Sequence, residues 1–238
     1  MQKVMIISDS LVCLHLHKSG GTFLNALLMK CLRSARRVGY HLPYSEVPAA
    51  FRGLPVLGTV RNPWDYYVSW YHFQQGQENP NPLFRICSED GALGFEGTVR
   101  NLVGLVDDDA RIDRLAAIFP DHFVNHGLNL RRQCIESLRG SGKGFYTFLH
   151  DRLYAGAEAP QVLRMESLRE QLYGLTLGGT IVEQARMKAF LDTTPRLNVS
   201  ERGRYGDYYS PELRDLVACR DRPVIETYGY SFQDTDGK

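Results

Sequence analysis

Short unbroken apolar runs alternate along this chain with stretches of helical spacing. Residues 11–17 form the first run and predict a buried strand, with residues 22–36 as the helix after it. Residues 40–44 predict a short extended piece, because Pro43 excludes a helix there. Residues 55–60 are apolar and β-branched, a second strand. Asn62 suits an N-cap, Pro63 a first helical position and Asp65 a first turn, so a helix runs from there to about Gln75. Residues 76–82 are polar with two prolines and read as a loop. Leu102, Val103 and Val106, then Ile112, Leu115, Ala116 and Phe119, keep helical spacing, so residues 93–153 predict several helices, with a strand near 122–125. A third strand follows at 159–165, then helices at 166–172 and 182–191. Residues 193–209 form a loop, and a final helix at 211–228 is opened by Ser210. Strands alternating with helices predict an α/β protein with a central parallel sheet.

Composition sets the outer bounds. A chain of 238 residues suits one α/β domain, 1–238, with a helical region at about 76–155, and buries a sizeable core. With 28 basic and 27 acidic residues the net charge is +1, which argues against broad nucleic-acid binding and leaves room for a local basic pocket. Cys13, Cys31, Cys87, Cys134 and Cys219 are scattered and lack CxxC spacing. That argues against a disulfide framework or a zinc site and for reduced thiols in a cytoplasmic protein. Residues 1–9 make a poor signal peptide, since their apolar run is short and ends at Asp9, and no apolar run is long enough to span a bilayer.

The chemistry concentrates at two joints. The first reads His15-Leu16-His17-Lys18-Ser19-Gly20-Gly21-Thr22-Phe23 and links a strand to a helix. Glycines there let backbone amides approach a phosphate or sulfate, the helix N-terminus adds its positive end, and Lys18 adds a movable charge. It is not a Walker loop, in which the lysine follows the glycines. The second joint puts Arg61 at the end of a strand and Ser69 two turns into the next helix, on the face of Asn62 and Asp65. An arginine fork and a helix-face hydroxyl suit a phosphate, although an Arg61–Asp65 pair with a capping Asn62 reads the same residues structurally. Both joints lie at strand C-terminal ends, where open α/β sheets bind ligands.

Lys18-Ser19-Gly20-Gly21-Thr22, with Arg61 and Ser69 at the same order and spacing, resembles the PAPS-dependent sulfotransferase family, PAPS being 3′-phosphoadenosine-5′-phosphosulfate. The likeness covers the N-terminal third well and the loop after residue 200 loosely. It implies a three-layer, P-loop-like α/β fold and an enzyme that moves a sulfuryl group from PAPS to an acceptor hydroxyl or amine, releasing PAP, the 3′,5′-bisphosphate. On this resemblance Lys18, Ser19, Gly20, Gly21 and Thr22 hold the 5′-phosphosulfate. Phe23 stands where tryptophan often stacks on adenine. Arg61, Ser69, Arg202 and Gly203 hold the 3′-phosphate. The pattern departs at Glu201, where cytosolic members carry arginine, with Arg204 as a stand-in.

Lys18 would stabilise the leaving oxygen and His41, in Tyr40-His41-Leu42-Pro43, would take the acceptor proton, with Glu46 as a rival base. His15 and His17 share a strand face, and His72 follows the second joint. Trp64 with Tyr66 and Tyr67, or Phe73 with Phe84, are candidates for the acceptor pocket, and Arg131-Arg132 for an anionic acceptor. No metal is expected. The partner is a small-molecule or carbohydrate acceptor, without nucleic acid or membrane span, and a homodimer is left open. A kinase-like phosphotransferase and a noncatalytic PAP- or PAPS-binding protein are the competing readings.

Overall fold

A computed structural model describes residues 5–124, 127–173, 175, 184–195 and 203–232. The chain divides into two compact units, one of residues 1–61, 151–200 and 236–238, the other of residues 62–150 and 201–235.

The first unit is built on a five-stranded sheet ordered β3-β1-β2-β4-β5. Its strands are β1 (Met5–Ile7), β2 (Val12–His15), β3 (Arg36–Val38), β4 (Val56–Val60) and β5 (Gln161–Arg164). β2, β4 and β5 run parallel, with Leu14 opposite Gly58 and Gly58 opposite Val162. The expected central parallel sheet is present as β2, β4 and β5, but the sheet as a whole is mixed: β1 pairs antiparallel with both β2 and β3. A tight turn causes this. The Ser8 amide donates to the Leu11 carbonyl at 3.0 Å, so the strand returns directly beside its predecessor.

Helix α1 (Gly21–Cys31) follows β2, and α8 (Leu168–Tyr173) and α9 (Gln184–Thr193) follow β5. Phe23, Leu24, Leu27 and Leu28 of α1 enter one core with Leu57, Leu163, Leu168, Phe190 and Leu191. Each such buried side chain contributes about 1.5–3 kcal/mol. The helix expected through residue 36 stops at Cys31, because Leu32 turns extended into that core and Ser34 takes a φ of 57°. Arg36 is thereby free to join β3. The extended piece expected at 40–44 forms no strand: the chain bends at 39–41, with φ of 61° at Gly39 and 46° at His41, and Tyr44 opens a 3-10 turn.

The second unit holds α2 (Pro63–Gln75), α3 (Pro82–Cys87), α4 (Phe95–Val103), α5 (Asp109–Ile118) and α6 (Arg132–Glu136). It also holds the start of α7 (Phe145–Tyr154), with α10 (Pro211–Arg220) and α11 (Arg222–Tyr228). Asn62 caps α2 as expected, its Oδ1 accepting from the Trp64 amide at 3.1 Å. Residues 122–124 form no strand, and residue 125 lies outside the described residues. The single helix expected at 211–228 is two, broken at Asp221. Pro223 cannot donate to a continuing helix, and Asp221 has another task.

That task is to cap α7. Asp221 Oδ1 accepts from the Thr147 amide at 2.8 Å and Oδ2 from the Tyr67 hydroxyl at 2.7 Å. The Tyr67 oxygen accepts in turn from the Tyr146 amide at 3.0 Å. Two amides at the start of α7 are thus satisfied by residues remote in sequence. Burial lifts the Asp221 carboxyl from 3.8 to about 6, against the pull of its donors. The folded chain holds this proton more tightly than the unfolded chain. The resulting stability is complete below pH 3.8 and is lost as pH rises through about 6, a swing of about 3 kcal/mol. Urea unfolding followed by the fluorescence of Trp64 and Trp70, both in this unit, should show that Asp221→Asn removes this fall. Asp221→Ala should cost about 1–3 kcal/mol more than Asn by orphaning the α7 amides. An Asn variant that keeps the wild-type slope would show that Asp221 ionises freely in the fold.

Candidate functional site

The joint between β2 and α1 is shaped by its glycines. Gly20 is the N-cap of α1 at a φ of 79°, and no side chain caps the helix. The amides of Phe23 and Leu24 donate to the Gly20 carbonyl, so the helix begins abruptly at Gly21. A Cβ on Gly21 would lie 2.0 Å from the His15 imidazole, so only glycine fits. Lys18 takes the left-handed region at a φ of 62°, which costs about 1–2 kcal/mol for a residue with a Cβ. Arg61 Nη1, at the end of β4, donates to the Lys18 carbonyl at 2.7 Å and pins that turn. Ser19 is fully buried, and its hydroxyl has no hydrogen-bond partner among the described residues. A buried hydroxyl without a partner among the described residues, beside a helix start without a side-chain cap, offers donors that an anion could accept from.

His41 is brought to the same strand end. Its Nδ1 lies 2.8 Å from the His15 carbonyl oxygen, which can only accept. Nδ1 therefore carries the proton and Nε2 the lone pair. The ring meets His15 edge-on at 4.9 Å and His17 at 5.9 Å. Burial, then the neighbouring His15 and His17, hold His41 well below the usual imidazole range. The bond to the His15 carbonyl opposes this, and Arg152 adds to it. His17 is lowered to about 3 by burial first, then by the charge of Lys18 and by His15.

The structure thus gathers Lys18, Ser19, Gly20, Gly21, Thr22, Arg61 and His41 in the sheet unit. Phe23 starts in the same turn, but its ring is in the core, 5.5 Å from Phe190 and 4.7 Å below the Arg169 guanidinium. Glu46 is exposed on a short 3-10 turn. Ser69, buried on α2, and Gly203, exposed, belong to the helical unit, and Arg202 lies outside the described residues. In the helical unit Trp64, Tyr66 and Tyr67 are core, whereas Phe84 lines a cavity of about 250 Å³ with Tyr71, Gln75, Arg85 and Asp90. His72 packs against Tyr208, and the Arg131–Arg132 pair is engaged, Arg132 with Asp121 and Arg131 over Phe123.

Sequence reading missed Asn25, whose Nδ2 reaches His15 Nε2 at 3.1 Å. The available signal was its spacing of one helical turn from Gly21. Among the described residues no cluster of His, Cys, Asp or Glu is arranged to hold a metal ion, and no helix is long and apolar enough to cross a membrane. No protein-family model matches the chain, and comparisons with curated proteins and with solved structures return no match.

Both histidines have folded values below the unfolded 6.5, so their contribution to stability is present above pH 6.5 and is lost as pH falls, for His17 down through about 3. In NMR titrations the ring signals of His17 and His41 should stay neutral from pH 8 to pH 5. A midpoint near the ordinary imidazole value of about 6.5 for either ring would show that water reaches it in the fold.

Proposed function

We propose that the chain is a PAPS-dependent sulfotransferase of P-loop-like, three-layer α/β architecture, acting on a hydroxyl or amine of a small-molecule or carbohydrate acceptor. The observation that carries this reading is the uncapped start of α1 beside the buried, unpartnered Ser19 hydroxyl, in a joint that also bears Lys18. These donors fit a tetrahedral anion. PAPS would supply the activated sulfuryl group and depart as PAP.

Lys18 would place a full charge beside the oxygen that becomes negative, in a turn that Arg61 already holds in shape. The Ser19 hydroxyl and the first amides of α1 would donate to the same group. His41 is neutral with its lone pair on Nε2, the form that accepts a proton from an acceptor. Its low proton affinity suits a base that must be unprotonated at neutral pH, although it limits the driving force for the transfer. Phe23 is left out of the site, since stacking on a base would pull its ring from the core.

Calorimetric titration with PAP, 5′-AMP and ATP–magnesium tests the reading. PAP should bind and AMP should not. Lys18→Ala and Arg61→Ala should each weaken PAP by about tenfold or more, equal to about 1.4 kcal/mol. Failure of the folded protein to bind PAP, or a preference for ATP–magnesium, would sink the proposal and favour a kinase-like one. If PAP binds, turnover of PAPS with a productive acceptor should fall by about 10²–10⁴-fold in His41→Ala.

A further inference from the structure

We propose that His15 and Asn25 are positioning residues that seat His41 in its base-competent tautomer and tie that seat to the first turns of α1. The inference rests on the sulfotransferase reading for its purpose, and on geometry for its content.

His15 serves its neighbours through both backbone and ring. Its carbonyl, at the last residue of β2, accepts the His41 Nδ1 proton at 2.8 Å. That carbonyl is held in direction by strand pairing, since His15 lies opposite Thr59 of β4. The ring is fixed at both nitrogens. Nδ1 lies 3.1 Å from the Leu16 carbonyl and so must donate, which leaves Nε2 to accept from Asn25 Nδ2 at 3.1 Å. A ring held at both ends cannot flip without losing a buried hydrogen bond.

Two residues of α1 close on that ring. Gly21 leaves the space it occupies, and Asn25, one turn later on the same helix face, bonds its far nitrogen. On its other side the His15 ring supports His41 edge-on, at 87° between planes. His41 in turn takes a left-handed φ of 46° and is buried, a conformation that persists only where its surroundings over-determine it. A carbonyl partner for Nδ1 orients the base as a carboxylate does in other sites, but adds no negative charge. His15 and Asn25 need not touch the acceptor or the nucleotide to act; they set which nitrogen of His41 is open.

Long-range proton–nitrogen NMR of the histidine side chains tests this without nucleotide or acceptor. In the wild type His41 should be the Nδ1–H tautomer. Asn25→Leu and His15→Leu should convert it to a mixture, and His15→Gln, whose amide can accept from Asn25 and donate to Leu16, should restore it in part. With PAPS and an acceptor, the Leu variants should lose kcat by about 10–100-fold while the KM for PAPS stays within about twofold. An Nε2–H tautomer in the wild type overturns the inference even if the variants fail to fold. An unchanged Nδ1–H tautomer in both folded Leu variants overturns it equally. The expected tautomer shifts without PAP binding would uphold the positioning and remove the sulfotransferase reading.

Discussion

The imidazole of His15 packed against Gly21 is the constraint on which the sheet unit's strand-to-helix joint depends. No side chain fits at Gly21 while that ring is in place, so α1 must start there, and its first turn must come down onto the end of β2. Gly20 then has to turn left-handed as the N-cap, and a Cβ on it would press within 2.9 Å of Met165 as well. Lys18 is carried into the left-handed region by the same geometry and is kept there by the Arg61 bond to its carbonyl. A turn fixed by the His15 ring, the half-buried Met165 and an arginine is held in shape to present its amides. Preorganised donors of this kind would meet the proposed anion with little ordering cost at the moment of binding.

The parts of this arrangement visible in the sequence are those that need a particular residue type. Gly20-Gly21 after an apolar run, and Asn62-Pro63 before a helix, declare themselves because few residues fill an αL N-cap, a Cβ-free contact or a proline N1. α2 was legible for the same reason, and β4 from its unbroken β-branched apolar run. β1 and β3 were not. Each is only three residues long, and β3 reads Arg-Arg-Val, which follows no strand pattern. Their pairing comes from the tight Ser8–Leu11 turn and from Ser34, whose hydroxyl accepts from the Asp9 amide 25 residues away. The break at Asp221 was hidden similarly, since what interrupts the helix is the need of α7 for a cap.

The site was half legible. Lys18, Ser19 and the glycines could be named as candidates because a glycine-bearing strand-to-helix joint is a local structure. The condition of His41 could not, because its tautomer follows from a backbone carbonyl, which leaves no trace in residue identity. Asn25 stands in an otherwise apolar helix run and looks like a neutral filler until the ring that it holds is in view. Phe23 shows the reverse error: its position suggested stacking on a base, but the helix phase that puts Gly21 and Asn25 toward His15 turns Phe23 toward Phe190.

Two titrating centres with opposite signs divide the pH behaviour of the chain. In the helical unit burial raises a carboxyl, Asp221, and favours the fold at low pH. In the sheet unit burial lowers the imidazoles of His17 and His41 and favours the fold at high pH. The second effect has a chemical meaning that the first lacks. Part of the lowering at His17 comes from Lys18, and part at His41 from Arg152, so these surroundings resist any further positive charge. Burial, the first cause at both rings, disfavours a charge of either sign; only the Lys18 and Arg152 contributions favour an anion. The proposed base at His41 and the proposed anion at the start of α1 would therefore share the cationic part of this field, from Lys18 and Arg152, while burial keeps the two rings neutral.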